Sequence, residues 1–194
     1  MPYEALAIDD VRKLDGPPAP GFDCGHPEQN AYFYDRAWND QLENVAVTYC
    51  YYAGGALAGY ATVLMDGLSL AFRERGVRIG YETVGATKLA QLGVDLRFQG
   101  RGLGDLIVAD VVGLASQLSG RLGCRFVTVD ARPGLETWYQ KRFFKPNQLM
   151  QKRRIQFALE KQRDPQLLPI SMRLDLWDPR SRSPVGSAET APLY

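Results

Sequence analysis

Apolar and polar positions along the chain alternate between a period near two and a period near three and a half. Val45 to Ala53 is rich in Val, Thr and Tyr, and Ala56 to Met65 follows Gly54-Gly55. The pair reads as a β-hairpin turned at the two glycines. Thr87 to Val94 is a further β-branched and apolar run and reads as the central strand. Leu103, Leu106, Ile107, Asp110, Val111, Leu114 and Leu118 recur at helical spacing, so that segment lays one face on a sheet. Arg125-Phe126-Val127-Thr128-Val129 is another strand, Pro133-Gly134 a turn, and a short helix then carries Trp138 and Tyr139.

The flanks are read in the same way. Tyr3 to Ile8 is a plausible first strand, with Asp9-Asp10 capping a short helix, and Gly16 to Gly21 a loop. Pro27 suits the first turn of a helix reaching Leu42. Residues 66–85 are interrupted by glycines and charges and predict a short helix and a loop lining an acceptor site. Leu149 to Leu159 mixes basic and apolar residues, which leaves strand and helix open. Ile170 to Leu176 alternates cleanly and predicts a strand, and Asp178 to Tyr194 a disordered tail. Strands and helices in this order predict an α/β fold, a mixed sheet with helices on both faces, as one domain over 1–177.

Gln99-Gly100-Arg101-Gly102-Leu103-Gly104 joins the central strand to the long helix. A glycine-rich turn at a helix N-terminus presents unpaired amides and the positive end of the helix dipole to an anion. Lys-Ser/Thr does not follow the last glycine, which argues against a nucleotide P-loop, and the glycine spacing is not that of a dinucleotide fingerprint. The hexamer resembles the Gln/Arg-x-x-Gly-x-Gly/Ala loop of the GNAT N-acetyltransferases, which binds the pyrophosphate of acetyl-CoA. Phe22-Asp23-Cys24-Gly25, then Asn30, Phe33, Ala37 and Gln41, together with Val129-Asp130-Ala131, are similar to the toxin-type branch of that family. Phe143 stands where the family pattern has a glycine.

The resemblance implies a GNAT fold, with a central, mostly antiparallel sheet splayed at the cofactor slot. It implies acetyl-CoA as cosubstrate, held by Gln99, Gly100, Arg101, Gly102, Leu103 and Gly104, with the main chain of Leu92, Gly93 and Val94 beside the pantetheine arm. A glycine inside a strand also marks a close backbone approach, which singles out Gly93. Tyr139 is the implied general acid, since a phenol keeps its proton at neutral pH. Asp95 reads as a brace for the turn, and Glu82 is the other candidate base. The toxin-type branch further implies transfer of acetyl to the α-amine of an aminoacyl-tRNA, a cognate antitoxin and a homodimer. A GNAT enzyme acting on a small-molecule or protein amine, and a non-catalytic coenzyme A-binding module, are the alternatives.

Charge and cysteine content narrow these readings. A net charge of +1 hides a concentration of basic residues: Arg73, Arg75, Arg78 and Lys88 before the loop, and Lys141 to Arg154 after the aromatic helix. Those segments read either as a solvated face or as an RNA-binding rim. Cys24, Cys50 and Cys124 are odd in number and far apart, and His26 is the single histidine, so a metal site is not expected. No uninterrupted apolar run long enough for a membrane span and no signal peptide is visible, and a reducing cytoplasmic setting is expected.

Overall fold

The computed structural model describes residues 6–75 and 79–178. Among the described residues, seven strands form one sheet in the order β1-β2-β3-β4-β5-β7-β6, with six helices between them. The chain divides into two compact units, one built on residues up to 64 with 89–114, the other on 65–88 with 115–178.

The first unit carries β1 (Asp10–Lys13), α1 (Pro27–Asp35), α2 (Ala37–Leu42) and β2 (Val47–Ala53). It also holds most of β3 (Ala56–Ser69), the end of β4 (Thr83–Val94) and the start of α4 (Leu103–Leu122). β1, β2 and β3 pair antiparallel, with Asp10 opposite Tyr52 and Val47 opposite Val63. The Gly54-Gly55 turn is as predicted, both residues having positive φ. Of the expected first strand, Tyr3 to Ile8, residues 3–5 lie outside the described residues and 6–8 are not strand, and Asp9-Asp10 do not start a helix. Asp10–Lys13 pairs with β2 instead, and Arg12 lies 4.7 Å above the Tyr52 ring, an anchor that strand propensity alone does not reveal. The expected helix from Pro27 to Leu42 is two helices. Arg36 breaks them with φ −126°, and Asp40 is tied back to both Tyr32 and Arg36. Phe22, Phe33, Cys50 and Tyr60 form the core, the Phe33 and Tyr60 rings stacked at 4.5 Å.

The second unit contains α3 (Phe72–Arg75), β5 (Phe126–Ala131), α5 (Glu136–Gln140), β6 (Lys145–Pro146), α6 (Gln148–Glu160) and β7 (Ile170–Asp175). β5 and β7 pair antiparallel, Phe126 opposite Asp175, and the two-residue β6 adds to β7, where Pro146 is tolerated at the edge. Leu68, Leu70, Ala86 and Phe126 pack with Ile79, Val84 and Met150. The segment left open between strand and helix is α6, capped by Asn147, whose side chain accepts from the Met150 amide. Phe143 has φ +66°, so the backbone keeps the left-handed turn that a glycine occupies without strain.

α4 is long and apolar enough to cross a membrane by length and composition, which the sequence reading did not anticipate. Its Leu103, Ile107, Val111 and Ala115 are buried against the protein instead. The predicted tail from 178 lies, beyond Asp178 itself, outside the described residues.

Candidate functional site

The end of β4 is shaped by a backbone approach that only glycine permits. A Cβ on Gly93 would stand 2.5 Å from the Tyr60 ring and 3.2 Å from the Phe22 ring. One on Gly59 would meet the Gly93 carbonyl and the side chains of Ile107 and Leu103 at 3.0–3.1 Å. The Tyr60 and Phe22 rings thus pack on the bare backbone of Gly93, and Leu103 and Ile107 of α4 on that of Gly59. Leu92 and Val94 flank this point, both half-buried, and the Val94 carbonyl accepts from the Gln99 side-chain amide at 2.9 Å.

Asp95 then fixes the turn. It is 2% exposed and caps the short helical turn Leu96–Phe98 by accepting from the Arg97 amide. Arg97 closes on it with a two-pronged contact of 2.7 and 3.0 Å, and the Asp23 amide donates at 3.1 Å. Burial pushes the Asp95 carboxyl up, but these donors outweigh it and hold the group below the usual carboxylate range. Asp95 is therefore a brace, as the sequence suggested. Gln99 adds a second tie, donating to the Cys24 and Val94 carbonyls.

Beyond this brace the backbone is left open. Gly100 and Gly102 have φ +72° and +84°, and a Cβ at either would meet nothing within 4 Å. Among the described residues, the amides of Gly100, Arg101, Gly102, Leu103 and Gly104 have no hydrogen-bond acceptor; the first helical bonds come from Asp105 and Leu106 to Gly102. Consecutive unpaired amides at the N-terminus of a 20-residue helix, on a turn without side-chain bulk, are suited to a phosphate group.

Tyr139 lies in the second unit, on α5. It is 6% exposed, with its ring edge-on to Trp138 and Phe144 at centroid distances of 4.8 and 5.4 Å. Burial pushes its phenol up to about 12, Arg132 and Arg142 acting weakly in the opposite direction. The hydroxyl makes no hydrogen bond with any described residue. Trp138 is not a core residue. It is half-buried, and the Arg142 guanidinium lies 3.4 Å from its ring centre. Glu82 is exposed and faces Arg153 at 3.6 Å. The three cysteines are buried thiols, with Cys50 pushed up to about 12 by burial.

Several of the basic residues left open between a solvated face and an RNA-binding rim are paired with acids. Asp130 binds both Lys88 at 2.8 Å and Arg154 at 2.7 Å, Lys145 faces Asp178, and Arg97 serves Asp95. Among the described residues no group of His, Cys, Asp and Glu could hold a metal ion.

No protein-family model and no curated protein sequence matches the chain. Solved structures do. A tyrosine-to-phenylalanine variant of KacT superposes with TM-score 0.65 at 18% identity, over 81% of this chain and 86% of that one. AtaT complexed with acetyl-methionyl-tRNAfMet gives 0.63 at 20% identity, over 71% and 86%. A variant of the AtaT toxin bound to the C-terminus of the antitoxin AtaR and to acetyl-CoA gives 0.62 at 17% identity, over 86% and 92%. The chain has the GNAT fold.

Within this GNAT fold, one ionisable pair escaped the sequence reading. Asp110 sits on α4 with the buried Tyr51 hydroxyl turned toward it, though no hydrogen bond closes between them. Burial raises Asp110 to about 6 and pushes the Tyr51 phenol well above its ordinary value. Its place in the amphipathic pattern of α4, one residue before Val111, was the only available signal. The Asp95–Arg97 clasp had a plainer one, since an acid two residues before an arginine at a turn is a local capping pattern.

Proposed function

We propose that the protein is an acetyl-CoA-dependent N-acetyltransferase that transfers acetyl to the α-amine of an aminoacyl-tRNA. The observation that carries this reading is the turn from Gly93 to Gly104, braced by Asp95 and open at five consecutive amides. Gly100, Arg101, Gly102, Leu103 and Gly104 bind the pyrophosphate through those amides, and Gln99 holds the turn in shape. The main chain of Leu92, Gly93 and Val94 runs beside the pantetheine arm. The resemblance to AtaT, solved with an acetylated methionyl-tRNA and with acetyl-CoA, supports the acceptor and the donor.

Transfer takes place directly, in a ternary complex. The neutral α-amine attacks the thioester carbonyl carbon, the N–C bond forms and the C–S bond breaks. Tyr139 gives its proton to the departing thiolate, and the proton lost by the amine restores the phenol through solvent. A phenol raised to about 12 is fully protonated at neutral pH, which fits an acid rather than a base. An α-amine has a pKa near 8, so a useful fraction is neutral without a dedicated base. Asp95 is committed to the turn and is assigned no proton transfer.

Regulation by a cognate antitoxin and assembly as a homodimer belong to the same reading, as the neighbour bound to AtaR suggests for the first. Three buried cysteines outside any disulfide fit a reducing, cytoplasmic setting. The test is the Tyr139→Phe variant in a thiol-release assay with acetyl-CoA and charged tRNA. Turnover falls by about 10²-fold or more while coenzyme A affinity stays within about twofold. Unchanged turnover removes Tyr139 from the reaction, and acetylation confined to small amines moves the acceptor out of the tRNA class.

A further inference from the structure

The turn end of the β3–β4 hairpin in the second unit carries two large aromatic side chains that the fold does not use. Phe72 is 87% exposed and Tyr81 is 79% exposed, although neighbouring Leu70 is fully buried. The two lie at one end of the hairpin, because the Leu70 amide donates to the Glu82 carbonyl at 2.9 Å and Ser69 faces Thr83. This end is held firmly. Glu74 accepts from the amides of Ala71, Gln148 and Leu149 and pairs with Arg173 at 2.8 Å, and its side chain is only 5% exposed.

Cations are carried by this segment and by α6, which contacts it through Arg153 and Glu82. Arg73 stands between Phe72 and Glu74, and Arg153 of α6 reaches Glu82 beside Tyr81. Lys152 is next to Arg153 on the exposed side of α6. Among the described residues Arg73 and Lys152 make no ion pair. The nearby acids are already engaged: Glu74 by Arg173, Glu82 by Arg153, and Asp66 by the Thr128 hydroxyl at 2.7 Å. Exposed flat rings at one end of the hairpin, with Arg73 adjoining Phe72 in sequence and Lys152 on α6 both outside any ion pair among the described residues, match what single-stranded nucleic acid requires. Bases stack on the rings and phosphates meet the cations.

We infer that this surface binds the single-stranded 3′ end of an RNA acceptor, with bases stacked on Phe72 and Tyr81 and phosphates on Arg73 and Lys152. The inference rests on the tRNA reading above and names the part of that substrate which this hairpin end grips. An apolar peptide would use the rings but not the cations, and a duplex would use the cations but not the rings.

The experiment uses the full chain and two labelled probes, a short single-stranded RNA ending in CCA and a blunt RNA hairpin, followed by fluorescence anisotropy. The single strand binds more tightly than the hairpin. Phe72→Ala and Tyr81→Ala each weaken it by about tenfold, whereas Phe72→Trp retains it, since a larger ring still stacks. Replacing Arg73 and Lys152 by alanine lowers the slope of log affinity against log salt by about 1.4. Unchanged melting temperatures and unchanged acetyl transfer to an amino-acid amide show that the variants are folded and active. Single-strand binding that survives both Phe72→Ala and Tyr81→Ala overturns this inference and leaves the tRNA reading in place. If the wild-type chain binds neither probe and acetylates no charged tRNA, both fall. If the alanine changes alter only the sedimentation of the protein, the face is a contact with a second copy of the chain and the inference is overturned.

Discussion

The turn after β4 and the end of the β3–β4 hairpin are both held by one buried carboxylate that gathers backbone amides and a single arginine. Asp95 does this for the first and Glu74 for the second. The arginine differs. Arg97 is two residues from Asp95 and its side chain is 57% exposed, while Arg173 is ninety-nine residues from Glu74 and 14% exposed. What each carboxylate presents differs too. Past Asp95 the chain is stripped to glycine and bare amides; on either side of Glu74 it displays Phe72 and Tyr81. A similar electrostatic clasp therefore supports two kinds of recognition, one through the main chain and one through rings.

Breaking the clasps separates the two cases. Glu74→Ala strands Arg173 in a mostly buried position and costs about 3–4 kcal/mol of stability, read as a shift in the denaturant midpoint. Gly102→Val puts a β-branched residue at φ +84° and over the open amides, so coenzyme A affinity drops by about a hundredfold, or about 2.7 kcal/mol, in calorimetry. RNA binding at Phe72 and Tyr81 is unaffected by that change. Asp95→Ala leaves Arg97 in contact with water and costs less than the Glu74 change, about 2 kcal/mol. If the two alanine variants lose equal stability, the contrast between an exposed and a buried arginine is wrong.

The smallest effect concerns Asp110, and its sign is opposite to that of the clasps. Asp95 and Glu74 are held below their ordinary values, so their contribution is present above the unfolded carboxylate pKa and is lost as pH falls through the folded one. Asp110 is raised to about 6, so the folded chain binds its proton first and loses stability as pH rises from about 4 to about 6. Asp110→Asn consequently stabilises the protein by about 1–2 kcal/mol at pH 7, after allowance for solvent reaching this half-buried group, and by nothing near pH 4. Melting curves at the two pH values check this.

The same comparison explains what could be read in the sequence. The Gln99 to Gly104 turn, the Gly54-Gly55 hairpin and the amphipathic stripe of α4 depend on neighbours within a few residues, and each was legible. So was the brace at Asp95, whose arginine is local. The role of Glu74 was not, because its partners come from α6 and β7, brought to it only by folding. α6 stayed open between strand and helix because Arg153 and Arg154 look solvated in sequence, whereas Arg154 is bound to Asp130. The true position of β1 depended on pairing with β2 and on Arg12 over Tyr52, neither of which a strand propensity contains. Phe143 was legible in part: a missing glycine raised the question, and a phenylalanine held at φ +66° answers it.

The most direct test is a thiol-release assay with acetyl-CoA and purified charged tRNA, run beside a panel of polyamines and amino acids, with the acetylated product identified by mass. Acetyl on the α-amine of the aminoacyl-tRNA, lost in Tyr139→Phe, is the predicted result. Thiol release with small amines alone, or tight coenzyme A binding with no release from any acceptor, contradicts it.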